Sequence, residues 1–405
     1  MISSKWKYLT KLTSYFHGLI SDRRFPVKVG ASGVFGISGI GAFSDAYGLE
    51  GVIGYISVLA LLRVLFSIPV SLAVKRFPAT MLEAHRWSPC LILLGSMSML
   101  SGHLWILPIC LALYISTWWT MYHSLREIRG KSTGDFVDVE VWSSILGTIL
   151  ALVITHEFSI YIAGAVGGFL CLAGAIIPVD VSAEELLDAL ETWQKEASSR
   201  SRAEIANGAR IARGVGTIGF CSLSSLRITL LDTPDGASLF QGVLSLGLVV
   251  VLMELVVWLW TSKTTQGLRD LFSSKDKGGQ GREYGGRRDT VVAFIFTVAG
   301  FSAMMMTESI EVFCTGYILV SISTRGVNRE VDQEFARSNL RGINGNPAAR
   351  EIEKFSTWLF LCPLLWMPWL LAPVGILGAA MLLSSSFTHP RDRGSGEGKV
   401  NGNGM

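Results

Sequence analysis

The sequence predicts an all-α membrane protein with twelve transmembrane helices in two parallel six-helix repeats. Three observations carry that expectation. Half of the 405 residues are hydrophobic and only 17% are charged, with a mean hydropathy of +0.43, too apolar for a water-soluble chain with so little charge. All of the 35 lysines and arginines except Arg63 and Arg227 fall in seven segments: residues 1–28, 75–87, 123–140, 179–213, 263–289, 325–354 and 389–405. Finally, two long apolar stretches resemble each other and each carries one central charge.

The basic segments set the topology. Lysine and arginine mark the cytoplasmic side of a membrane protein, so both ends of each apolar block belong on that side. Each block is long enough for two helices of about 20 residues and too short for four. Six hairpins follow, with both termini cytoplasmic in the cell membrane. The outward turns belong at mid-block, where acidic or polar residues collect without lysine. They fall at Asp45 to Glu50, Ser101 to His103, His156-Glu157, Asp232 to Asp235, Glu308 to Glu311 and Pro368 to Pro373.

Internal similarity supplies the duplication. The run Gly51 to Val74 aligns with the run opening at Gly242, and the alignment places Glu254 opposite Arg63. Tyr114-Ile115 followed by Arg126-Glu127 recurs, at the same spacing, as Tyr317-Ile318 followed by Arg329-Glu330, and an Arg-Gly follows each (Arg129-Gly130, Arg341-Gly342). The chain therefore divides into a cytoplasmic N-terminal segment (1–28), an N-terminal six-helix bundle (29–178), a cytoplasmic linker (179–213), a C-terminal six-helix bundle (214–388) and a disordered cytoplasmic tail (389–405). In the linker, Ser182 and Glu185 have capping-box spacing, and Leu186, Leu190 and Trp193 share a helical face. The spacing predicts an amphipathic helix resting on the membrane surface or on the underside of the bundles.

Several function classes are excluded on these residues. The net charge of +3 gives no electrostatic footprint for nucleic acid. All six cysteines, Cys90, Cys110, Cys171, Cys221, Cys314 and Cys362, lie in apolar blocks, where they act as small hydrophobes. No Cys-x-x-Cys or Cys/His cluster points to a metal, and no cofactor motif is present. The N-terminus is basic and amphipathic without the apolar core of a signal peptide. No nucleophile elbow, metalloprotease motif or intramembrane aspartate pair suggests an enzyme, and the histidines are scattered over loops and ends.

The candidate functional residues are those that a bilayer makes costly. Arg63 and Glu254 sit at the middle of their helices, where a charge costs at least about 2.5 kcal/mol, so each should face protein or water. Arg227 has either an anion-facing role or a snorkelling one. Tyr114, Trp118 and Tyr317 are candidates to line a cavity, while Trp119 and Tyr122, near the inner end of their helix, read as aromatic-belt anchors. Glycines 30, 33, 36, 39 and 41 mark the first helix as one that packs at close range.

Twelve helices in two parallel halves, joined by a long amphipathic linker, resemble the major facilitator superfamily of transporters. The family's loop after the second helix, Gly-x-x-x-Asp-Arg-x-Gly-Arg-Arg, is replaced here by Lys75-Arg76-Phe77-Pro78 and onward to His85-Arg86, which leaves the subfamily open. The resemblance implies a cavity lined by helices one, four, seven and ten that opens to alternate sides. It also implies that helix eleven meets Arg63 and helix five meets Glu254. The expected function is secondary active or facilitative transport of a small polar or anionic solute, with Glu254 as a proton carrier. Alternatives are a lipid or polysaccharide flippase and a non-transporting scaffold or receptor. The expected partners are that solute, protons, and anionic lipid headgroups at the basic loops; the expected state is a monomer.

Overall fold

The computed structural model describes residue 22 and residues 24–128, 133–177, 179, 181–195 and 287–305, with positions between 244 and 259, 312 and 320, and 363 and 380. Arg227 and Tyr317 lie outside the described residues, as do the expected turns at 232–235 and 308–311 and the Arg329-Glu330 loop. Among the described residues the regular structure is helical throughout.

The first hairpin is built from α1 (Arg24–Ser32), a π-helical stretch (Gly33–Gly39) and α2 (Ile40–Arg76). Gly48, with φ +63 and ψ −154, breaks α2 within the expected turn. The two legs, Arg24–Gly48 and Glu50–Val74, are each long and apolar enough to cross a membrane. The second hairpin runs through α3 (Pro78–Trp87), α4 (Cys90–Leu100) and α5 (Ile106–Ile128). It reverses at Gly102, whose φ of +81 is a left-handed conformation that glycine adopts freely. The third consists of α6 (Thr133–Glu157) and α7 (Ile160–Ile176), where the Ser159 side chain accepts a hydrogen bond from the Ile162 amide and caps α7. The first two turns expected in the N-terminal half fall at Asp45 to Glu50 and Ser101 to His103, and the third follows directly on His156-Glu157, at Phe158 and Ser159.

Packing explains the glycines of the first helix. A Cβ on Gly30 would run into the Gly167 carbonyl of α7, and one on Gly147 of α6 would run into the Val29 carbonyl of α1. A Cβ on Gly33 would lie 3.1 Å from the Gly147 carbonyl. The first helix is therefore held between α6 and α7 at backbone range, as small residues permit in membranes. Elsewhere α4 packs on α5 and α7, and α2 packs along α5.

Among the described residues many large apolar side chains are exposed. Leu61, Leu65 and Leu72 on α2, Leu94 and Met97 on α4, and Leu146, Ile149 and Val153 on α6 are exposed, while Ser38, Ser67, Ser96, Ser116, Ser143 and Thr148 are buried. Only 24% of the apolar window in Glu50–Val74 is buried, so protein contacts do not account for its hydrophobicity. This inside-out pattern is that of a multi-pass helical protein whose outer surface meets lipid.

Two expectations are corrected. The stretch from 75 to 87 was expected to be a basic loop, and most of it is α3. Pro78 starts that helix at its first turn, where a missing amide costs nothing, and Met81, Leu82 and His85 form its buried face. His85 is thus an interior residue, not a loop residue. Tyr122 is buried at 3% exposure rather than anchored at the interface. The linker helix is present as α8 (Ala183–Lys195). Its capping box is reciprocal: the Glu185 amide donates to Ser182 Oγ at 3.1 Å, and the Ser182 amide donates to Glu185 Oε2 at 2.7 Å. Leu186 packs with Val74, Met81, Leu82, Met121 and Leu125, so α8 rests against the C-terminal parts of α2 and α5 and the buried face of α3.

Candidate functional site

Helix α5 carries an aromatic column because Tyr114, Trp118 and Tyr122 recur every four residues, which puts them on one helical face. Neighbouring ring centroids lie 5.8 and 5.9 Å apart. His85 of α3 stacks on Trp118 at 4.5 Å and 24°. At the other end, Lys28 Nζ and the Arg24 guanidinium carbon lie 5.6 and 5.9 Å from the centre of the Tyr122 ring. Both approach its negative face, a favourable arrangement for a cation. Arg24 also pairs with Asp22. Lys28 is only 7% exposed and His85 only 4%. Three basic groups from the first helix and α3 therefore converge on one aromatic stack inside the bundle.

Arg63 joins α5 from another side. Its backbone carbonyl accepts a hydrogen bond from Ser116 Oγ at 3.4 Å. Ser116 is two residues from both Tyr114 and Trp118, about 200° around the helix from each. One helix thus carries the column on one face and meets the Arg63 level of α2 on another, and Arg63 itself is half-buried.

Glu254 sits on a helical stretch that runs along α6. A Cβ on Gly247 would press on the Leu152 side chain, and the Trp258 ring meets Trp142 edge-on with centroids 5.4 Å apart. Residues 247, 254 and 258 fall within about 40° of one another around an α-helix. Glu254 therefore lies on the side of its stretch that carries the Gly247 and Trp258 contacts to α6.

The first helix holds a further feature near this interior. Gly33 to Gly39 is π-helical, a form that occurs mostly as short insertions and often at functional sites. A Cβ on Gly39 would lie 2.8 Å from the Tyr55 hydroxyl, whereas one on Gly36 would meet nothing within 4 Å. Gly36 thus opens onto free space between two tightly packed glycines.

No protein-family model matches the sequence, and no curated protein does. Among solved structures, the chain is similar to the nucleoside transporter NupG, with a TM-score of 0.49 and 12% identity over 89% of this chain and 96% of that one. It is similar to the human organic anion transporter MFSD10 (TETRAN), with a TM-score of 0.44 and 12% identity over 91% of this chain and 99% of that one. Both are major facilitator superfamily transporters. Neither likeness bears on the solute.

The sequence named Tyr114 and Trp118 as candidates to line a cavity; the structure buries both and packs their rings together. Sequence reasoning missed Lys28 and His85. Lys28 was counted with the basic N-terminal segment, but the helix begins at Arg24, before the expected boundary. No single-helix signal marked it, because Val27 and Val29 point about 100° to either side of Lys28 and the residue four before it is the basic Arg24.

Proposed function

We propose that the chain is a secondary transporter that moves a small polar or anionic solute by alternating access between two six-helix halves, residues 29–178 and 214–388. The observation that carries this reading is the burial of Lys28 and His85 on the Trp118–Tyr122 stack within a bundle that exposes many large apolar side chains. A buried cation in a membrane protein is costly and marks a solute or ion path. Arg63, Arg227, Tyr114, Trp118 and Tyr317 complete the path on this reading. Glu254 serves as the proton carrier on the same reading, supported by its position in the chain between Gly247 and Trp258, which both meet α6.

Purified protein in proteoliposomes, supplied with a panel of labelled organic anions and polar solutes, should accumulate at least one of them. Arg63→Ala and Glu254→Gln should abolish that uptake while retaining the folded elution profile. Unchanged flux in both variants would remove both residues from the mechanism.

A further inference from the structure

A second group of side chains, of different chemistry, lies where α3 meets the end of α7. Arg86 projects from the last turn of α3 with its side chain 28% exposed. Its Nη2 donates to the Ile176 carbonyl at 3.4 Å, which puts the guanidinium at the C-terminal end of α7. Nη1 lies 3.8 Å from Glu83 Oε2, a mostly exposed carboxylate, and the guanidinium carbon lies 5.2 Å from the Trp87 ring centre. Beside it Trp87, Ile176 and Ile177 are all exposed. At the opposite end of α3 the arrangement repeats, with the Arg76 guanidinium 5.6 Å from the ring of the exposed Phe77.

Exposed apolar side chains beside a partly exposed guanidinium match the two parts of a phospholipid. The rings and isoleucines offer a wall for acyl chains, and the arginine offers a planar fork for a phosphate. Aromatic residues at the ends of membrane helices are at home in the headgroup layer. The weak, solvated contact to Glu83 is one that a phosphate can replace. We propose that the surface where α3 meets α7 binds an anionic phospholipid, with Arg86 on the phosphate, Trp87, Ile176 and Ile177 along the acyl chains, and Arg76 with Phe77 as a second headgroup contact. The site depends on the membrane setting of the chain and not on whether the chain moves a solute.

The test is thermal unfolding of the full chain in detergent, titrated separately with dioleoylphosphatidylglycerol, dioleoylphosphatidylcholine and inorganic phosphate. The phosphatidylglycerol titration should stabilise the native chain, with the other two giving markedly less. Arg86→Gln should weaken the apparent phosphatidylglycerol affinity about fivefold, the contribution of one basic contact to an anionic headgroup, and Arg86→Lys should restore part of it. Equal stabilisation by the two lipids, equal stabilisation by free phosphate, or an undiminished response in both Arg86→Gln and Arg76→Gln would overturn the proposal. If Arg86→Gln fails to fold, the comparison of lipids on the native chain and the Arg76→Gln titration still decide it.

Discussion

Replacing Gly147 by alanine should separate two helices that the native chain holds at backbone contact. The added Cβ would run into the Val29 carbonyl oxygen and sit 3.1 Å from the Val29 carbonyl carbon and 3.2 Å from its Cα. Ordinary contacts of a Cβ begin near 3.4 Å, and all three obstructing atoms are backbone, so no side chain can swing aside. The first helix and α6 must part, and overpacking of this kind costs about 1–3 kcal/mol. Gly33→Ala should cost less, because its Cβ meets one carbonyl oxygen at 3.1 Å and the Ala151 methyl at 3.4 Å. Gly36→Ala has nothing within 4 Å and should stay within about 0.5 kcal/mol of wild type. Thermal unfolding of the three purified variants in one detergent checks the order. A Gly147→Ala protein as stable as wild type, or a Gly36→Ala protein as damaged as Gly147→Ala, would refute the packing argument.

The seating of α8 makes two further predictions, both read as the rate of proteolysis within residues 181–195. Leu186→Ala empties a fully buried position among Val74, Met81, Leu82, Met121 and Leu125, and should cost about 2–5 kcal/mol of docking and accelerate cleavage strongly. Ser182→Ala removes the acceptor for the Glu185 amide and should cost about 1 kcal/mol, with a smaller acceleration. Equal cleavage rates in wild type and Leu186→Ala would mean that α8 is not held by this contact.

The reverse turns were legible because turn chemistry is local. Asp45 through Glu50, Ser101 through His103 and His156-Glu157 interrupt apolar runs with residues that prefer water, and Gly48 and Gly102 supply the positive φ. The capping box of α8 was legible for the same reason, since Ser182 and Glu185 need only their spacing. Lys28 and His85 were hidden by the argument that found the topology. Grouping basic residues into loops assigns every lysine, arginine or histidine near a boundary to water, whereas a cation can enter the bundle where an aromatic face receives it. The π-helical stretch left no readable mark beyond Gly33, Gly36 and Gly39, because a shift in hydrogen-bond register changes neither composition nor polarity. The proximity of His85 to Trp118 comes from α3 packing against α5, a tertiary event that no single-helix pattern encodes.

Gly36 offers the most direct test of the alternating-access claim, since it opens onto free space on the first helix. In a chain whose native cysteines are replaced, Gly36→Cys in oriented vesicles should react with a membrane-impermeant maleimide added to either side, as the halves expose the same position in turn. Labelling from one side alone, or from neither, would contradict the account.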